Sequence, residues 1–93
     1  MQQYTFICDW RSLEQQLMDS RFVVVSSGET FEAASTAAAE AALNYYPYLA
    51  EYEIPSTFWH GDHGATQLAS LYGDHSRALV DAADYDVIRA ATH

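Results

Sequence analysis

The chain lacks lysine altogether, and its only fixed cations are Arg11, Arg21, Arg77 and Arg89. Thirteen Asp and Glu stand against them, giving a formal charge of -9 over 93 residues. Four dispersed arginines among that many carboxylates cannot neutralise a phosphate track, so direct nucleic-acid binding is excluded and anionic membranes are repelled. Cys8 is the only cysteine, which excludes an intramolecular disulfide and fits a reducing compartment. With four glycines and two prolines, the chain has no glycine-rich phosphate loop and no Gly-x-Ser-x-Gly nucleophile elbow. No apolar run approaches the about 18–20 residues of a membrane span, and Met1-Gln2-Gln3 opens without a basic or apolar leader, so cytoplasmic placement is expected.

Aliphatic residues are sparse, and sparse aliphatics with high net charge would by themselves point to disorder. The two Trp, seven Tyr and four Phe argue the other way, because large rings bury much area while losing few rotamers. A chain of this length holds one modest core. Residues 1–93 are therefore read as a single α+β domain whose core is filled by alanines and aromatic rings.

Tyr4, Phe6, Cys8 and Trp10 alternate with Thr5, Ile7 and Asp9, the period of a half-buried strand over Tyr4 to Asp9. Ser12 precedes Gln15 at capping-box spacing, Leu13 and Leu17 set one apolar stripe on a short helix, and Asp19-Ser20 closes it. Phe22-Val23-Val24-Val25 is a continuous apolar run, short enough for a strand buried on both faces, with Ser26-Ser27-Gly28 as the following turn. Thr30 is a good N-cap for an alanine-rich helix from Phe31 to Leu43, with Glu32 favourably placed in its first turn. Pro47 ends that helix, and Asn44 to Pro55 is expected to be an ordered loop or a short edge strand.

The one internal echo is Gly61-Asp62-His63 and Gly73-Asp74-His75. Each copy is expected to precede a helix, the first carrying Leu68, Leu71 and Tyr72, the second Ala78, Leu79, Ala82 and Ala83, with the aspartates as caps. From Asp84 to Arg89 the pattern fits either a continuing helix or a last strand. The expected architecture is a small sheet covered by the Thr30–Leu43 helix, with a helical C-terminal half.

His60, Asp62, His63, Asp74 and His75 are ligand types for zinc, but they lack a helix to fix them on one face, and capping aspartates beside exposed histidines are the simpler reading. No metal or other cofactor is expected. Cys8, inside a strand with no cation nearby to lower its pKa, reads as a buried thiol rather than a nucleophile. The chain is accordingly read as a non-enzyme.

Charge then carries the inference about partners. Glu51 and Glu53 beside Tyr48 and Tyr52 form one acidic and aromatic group; Asp74, Asp81, Asp84 and Asp86 beside Tyr85 form the other. Carboxylates accept forked hydrogen bonds from arginine and tyrosine faces take its guanidinium, so such surfaces suit a groove built for phosphates. The plainer reading is a solvated acidic surface that serves solubility. Tyr45, Tyr46, Tyr48 and Tyr52 either clamp their loop onto the core or form a contact patch, and self-association into a homodimer is the third reading.

The stretch Phe22-Val23-Val24-Val25-Ser26-Ser27-Gly28-Glu29-Thr30-Phe31-Glu32-Ala33-Ala34 resembles the strand, turn and small-residue helix of many small phage-encoded proteins. With its length, acidity and lack of catalytic motifs, the whole chain resembles the anti-defence class, notably anti-CRISPR proteins. That resemblance implies a stoichiometric inhibitor in the host cytoplasm. It would bind the basic surface of a host protein or nucleoprotein effector and block either its DNA-binding channel or the recruitment of a nuclease.

Overall fold

In the computed structural model, β1 (Gln2–Trp10) and β2 (Phe22–Gly28) pair antiparallel, with Phe6 opposite Val24 and Cys8 opposite Phe22. The alternation in β1 sends Phe6, Cys8 and Trp10 to one face, where they join Phe22 and Val24 in the core. β2 continues through Ser26-Ser27-Gly28, which were expected to turn; the turn comes at Glu29-Thr30 instead. Ser26 can lie in a buried strand because its hydroxyl donates to Ala34 O at 2.7 Å, so its polar atom is paired on the spot. The structure describes residues 1–18, 21–82 and 85–90, with 80–82 by backbone alone. The expected closure at Asp19-Ser20 lies outside the described residues.

Between these strands runs α1 (Leu13–Met18), whose Gln15 N–H donates to Ser12 Oγ at 3.4 Å. After β2 comes α2 (Phe31–Tyr45), capped by Thr30, whose Oγ1 accepts from Ala33 N at 3.1 Å. α2 lays Ala34, Ala38, Ala39, Ala42 and Leu43 on the sheet, and the small side chains let helix and strands approach closely. Around them the rings interlock: Phe22 lies 4.7 Å from Trp10, 5.7 Å from Tyr46 and 6.4 Å from Phe58 between centroids. The Asn44–Pro55 segment holds a 3-10 turn, Pro47–Glu51, and no strand.

Two further strands lie in the C-terminal half, which corrects the expectation of a helical half. β3 (Ala65–Tyr72) pairs antiparallel with β1, and β4 (Asp86–Arg89) pairs parallel with β2, giving the order β3-β1-β2-β4. The helix expected after Gly61-Asp62-His63 is thus a strand. Its register shifts between Ile7 and Cys8, where Gln67 and Ala69 are the successive partners and Leu68 is the extra residue. From Leu68 onward the strand alternates, with Leu68, Ser70 and Tyr72 exposed and Ala69 and Leu71 half-buried, so its apolar residues stand on both faces and Leu68, Leu71 and Tyr72 fall at a spacing that imitates a helix. The Asp84–Arg89 ambiguity resolves as strand from Asp86 onward, because Val87 and Ile88 align beside Val23 and Val24.

The second copy of the echo does precede a helix, α3 (Ser76–Ala82). Gly73 makes the turn into it at φ 92°, a conformation costly for any residue with a Cβ. The link crosses the face of the sheet opposite α2. There the buried Thr5 hydroxyl donates to Gly73 O at 2.7 Å and accepts from His75 N at 2.9 Å, beside the buried Val23 and Val25.

Candidate binding surface

The first expected acidic group divides by burial. Glu51 and Tyr52 are exposed, as is Tyr48, while Glu53 is only 7% accessible. Glu53 turns inward: Oε2 accepts from Thr57 Oγ1 at 2.6 Å and Oε1 from His63 N at 3.4 Å. A side chain at position 61 would overlap its carboxylate and have to displace it. Glu53 is therefore a strut that ties the 53–63 loop together, which corrects its assignment to a partner-binding surface. A buried carboxylate needs such donors, and this one finds them within its own loop.

What stands beside Tyr48 and Tyr52 instead is α1. Leu13, Leu17 and Met18 are 70%, 81% and 74% accessible, and none of the helix's residues is buried. Six residues make a rod of only about 9 Å, too short to lie across the sheet, so the apolar stripe faces outward. A cleft of about 260 Å³ separates α1 from the 3-10 turn and is lined by Glu14, Gln15, Met18, Tyr48, Tyr52 and His63. Gln15 Nε2 donates to Tyr48 Oη across it, and the Tyr52 ring lies over His63 at 4.5 Å. Glu14, in the cleft lining, is exposed, and so is Glu51 on the 3-10 turn. Sequence reasoning found the tyrosines and Glu51 but missed Glu14 and the α1 residues; the signal was Leu13 and Leu17 on a helix too short to bury them.

Among the described residues of the second expected group, Asp74 and Asp86 are engaged in different places. Asp86 accepts from Tyr46 Oη at 3.0 Å, on the α2 side of the sheet and next to Tyr48, whose ring lies 6.4 Å from that of Tyr46. Asp74 sits by the start of α3, toward the opposite face. Its Oδ1 accepts from Ser76 N at 3.0 Å and Ser76 Oγ at 2.6 Å, and its Oδ2 pairs with Arg89 at 2.9 Å. These bonds to Ser76, reinforced by Arg89, pull the Asp74 pKa down to about 2. Its two oxygens are thus engaged within the fold, so Asp74 acts as a cap and ion pair. Tyr85 is half-buried. Asp84 and the side chain of Asp81 lie outside the described residues.

The metal-type residues scatter. His63 is against Tyr52, and His75 Nε2 is 2.8 Å from Tyr72 O, which requires its proton on that nitrogen. Among the described residues no three His, Cys, Asp or Glu side chains converge on a point. Cys8 is enclosed in the core, its thiol 3.5 Å from Phe6 O, and burial pushes its pKa far above the usual range. A thiol held in that state is no nucleophile.

No protein-family model, curated protein or solved structure matches this chain. The functional reading therefore rests on the surfaces themselves.

Proposed function

We propose that the protein acts by stoichiometric binding, as a non-catalytic inhibitor that docks α1 and the Tyr48–Tyr52 turn onto the basic face of a host nucleic-acid-binding defence complex. The single observation behind this is the exposed α1, which sets Met18 and Glu14 across a cleft from the exposed Tyr48 and Tyr52 and holds Leu13 and Leu17 in solvent on the same short helix. Apolar side chains clustered on the surface of a chain this charged mark an interface. Tyr and Met suit the centre of such a patch. Rim carboxylates, together with the net charge of -9, draw it toward basic surfaces and set its on-rate. Occupying a phosphate-binding groove blocks DNA entry; covering a docking face blocks nuclease recruitment. The resemblance to anti-CRISPR proteins points to an effector of the CRISPR-Cas type.

The test is a DNA-binding assay with a purified effector complex, titrated with the wild type, with Leu13→Ser/Leu17→Ser/Met18→Ser, and with Glu14→Arg/Glu51→Arg. Wild type is expected to displace DNA or to form a stable ternary complex lacking nuclease. The apolar variant is expected to lose that effect, and the charge-reversed one to associate at least tenfold more slowly at low salt, with a flatter salt dependence. Equal behaviour of all three proteins refutes the surface. A second reading, a small self-associating structural protein, is favoured by a separate observation at the opposite edge of the sheet.

A further inference from the structure

β3 and β4 are the two edges of the sheet, and they are finished differently. β4 has four residues, two of them the charged Asp86 and Arg89. β3 has eight, and from Gly64 to Gly73 there is not one charged residue or proline. Exposed edges are ordinarily guarded by charges, prolines or shortness, since their free N–H and C=O groups accept another strand. In a chain with 13 carboxylates, a long unguarded edge is the exception.

The free groups can be placed. Gly73 N donates to Gln3 O at 2.8 Å, and bonded pairs alternate along an antiparallel ladder. Bonded pairing therefore recurs at Thr5–Leu71 and Ile7–Ala69, which turns the N–H and C=O of Ser70 and Tyr72 away from β1; Tyr72 O already accepts from His75 Nε2 at 2.8 Å, so Ser70 N–H, Ser70 C=O and Tyr72 N–H are the groups that a further strand would meet. Ser70 is exposed, and Tyr72 is 70% accessible. α2 packs chiefly over β2, so this shoulder of the sheet lies open. Across it runs a row of rings: Tyr72 is 5.4 Å from Tyr4, and Tyr4 is 5.3 Å from the exposed Phe31.

We infer that β3 pairs antiparallel with β3 of a second copy, across a two-fold axis perpendicular to the sheet, to give a continuous eight-stranded sheet. That axis keeps both α2 helices on one side and brings the two Tyr72–Tyr4–Phe31 rows toward each other over the joint. The occupant follows from charge. A basic partner gains nothing from a neutral strand, whereas a copy carrying -9 approaches another most cheaply along its charge-free edge. An isologous contact of this kind closes after two subunits.

The experiment is analytical ultracentrifugation of the full chain from micromolar to millimolar concentration at low and high NaCl, repeated on Ser70→Pro and on Ser70→Glu/Tyr72→Glu. Proline at position 70 removes an outward donor and leaves the β1 ladder intact; the glutamates put like charges opposite one another across the axis. A dimer that tightens as salt screens the repulsion between copies, and that weakens at least tenfold in both variants, supports the inference. Circular dichroism confirms that each variant is folded, and the glutamate pair decides alone where the proline variant is not. A monomer at every concentration, or a dimer unaffected in a folded variant, overturns it.

Discussion

α1 and α2 invert the usual relation between side-chain size and burial. α2 packs on the sheet with alanines, Ala34, Ala38, Ala39 and Ala42, all fully buried. α1 holds Leu13, Leu17 and Met18 and buries none of them. The long helix needs small residues because the rings around it, Trp10, Phe22, Tyr46 and Phe58, already fill the space. The short helix has no sheet beneath its stripe to cover. Large apolar groups are thus kept off the core on a helix that a partner could reach.

Exchanging residues between the helices is the sharpest way to break that contrast. Ala38→Leu forces extra methylenes under a helix fixed against the sheet and should cost about 3 kcal/mol, the upper range for overpacking. Leu17→Ala, at an exposed position, should change stability by less than about 0.5 kcal/mol. Urea denaturation of both variants measures the two numbers, and similar values would mean that α1 is packed in solution.

The same contrast recurs on a smaller scale between Glu51 and Glu53, two residues apart on the same turn. Glu53→Gln keeps the shape but replaces one carboxylate oxygen by a donor facing Thr57 or His63 N–H, and should cost about 1 kcal/mol or somewhat more. Glu51→Gln should leave the melting temperature unchanged and weaken partner binding instead. A Glu53→Gln protein that melts like the wild type would remove the strut.

Much of this fold was legible where a pattern is local. The alternation in β1, the β-branched run of β2 and the Thr30 cap each express a period or a hydrogen bond set by neighbouring residues. The C-terminal half was misread because β3 carries apolar residues on both faces, Leu68 and Tyr72 on one and Leu71 on the other, at helix-like spacing, and because β4 is recognisable as a strand only beside β2. The candidate surface was half legible. Tyr48, Glu51 and Tyr52 announce themselves by type, but Glu53's burial depends on the loop folding back to bring Thr57, Gly61 and His63 around it. The exposure of α1 depends on what lies beneath the helix, which no stretch of 13–18 encodes.

Asp74 gives the smallest expected effect and one that acid can read separately. Ser76 and Arg89 hold its folded pKa at about 2, well below the ordinary aspartate range, so the native state favours the ionised form. A carboxylate with a depressed folded pKa stabilises the fold above its unfolded value and loses that contribution as pH falls through its folded one. The stability it adds is therefore full above about pH 4 and disappears toward pH 2. With a side chain 32% accessible, solvent screening keeps the contribution small. Asp74→Asn should melt lower than wild type at pH 6, and the gap between the two should close as the solution is acidified to pH 2. Because α1 carries none of these partners, the Leu13→Ser/Leu17→Ser/Met18→Ser protein should follow the wild-type pH curve throughout. A constant gap for Asp74→Asn would show that the cap is structural and owes nothing to its charge.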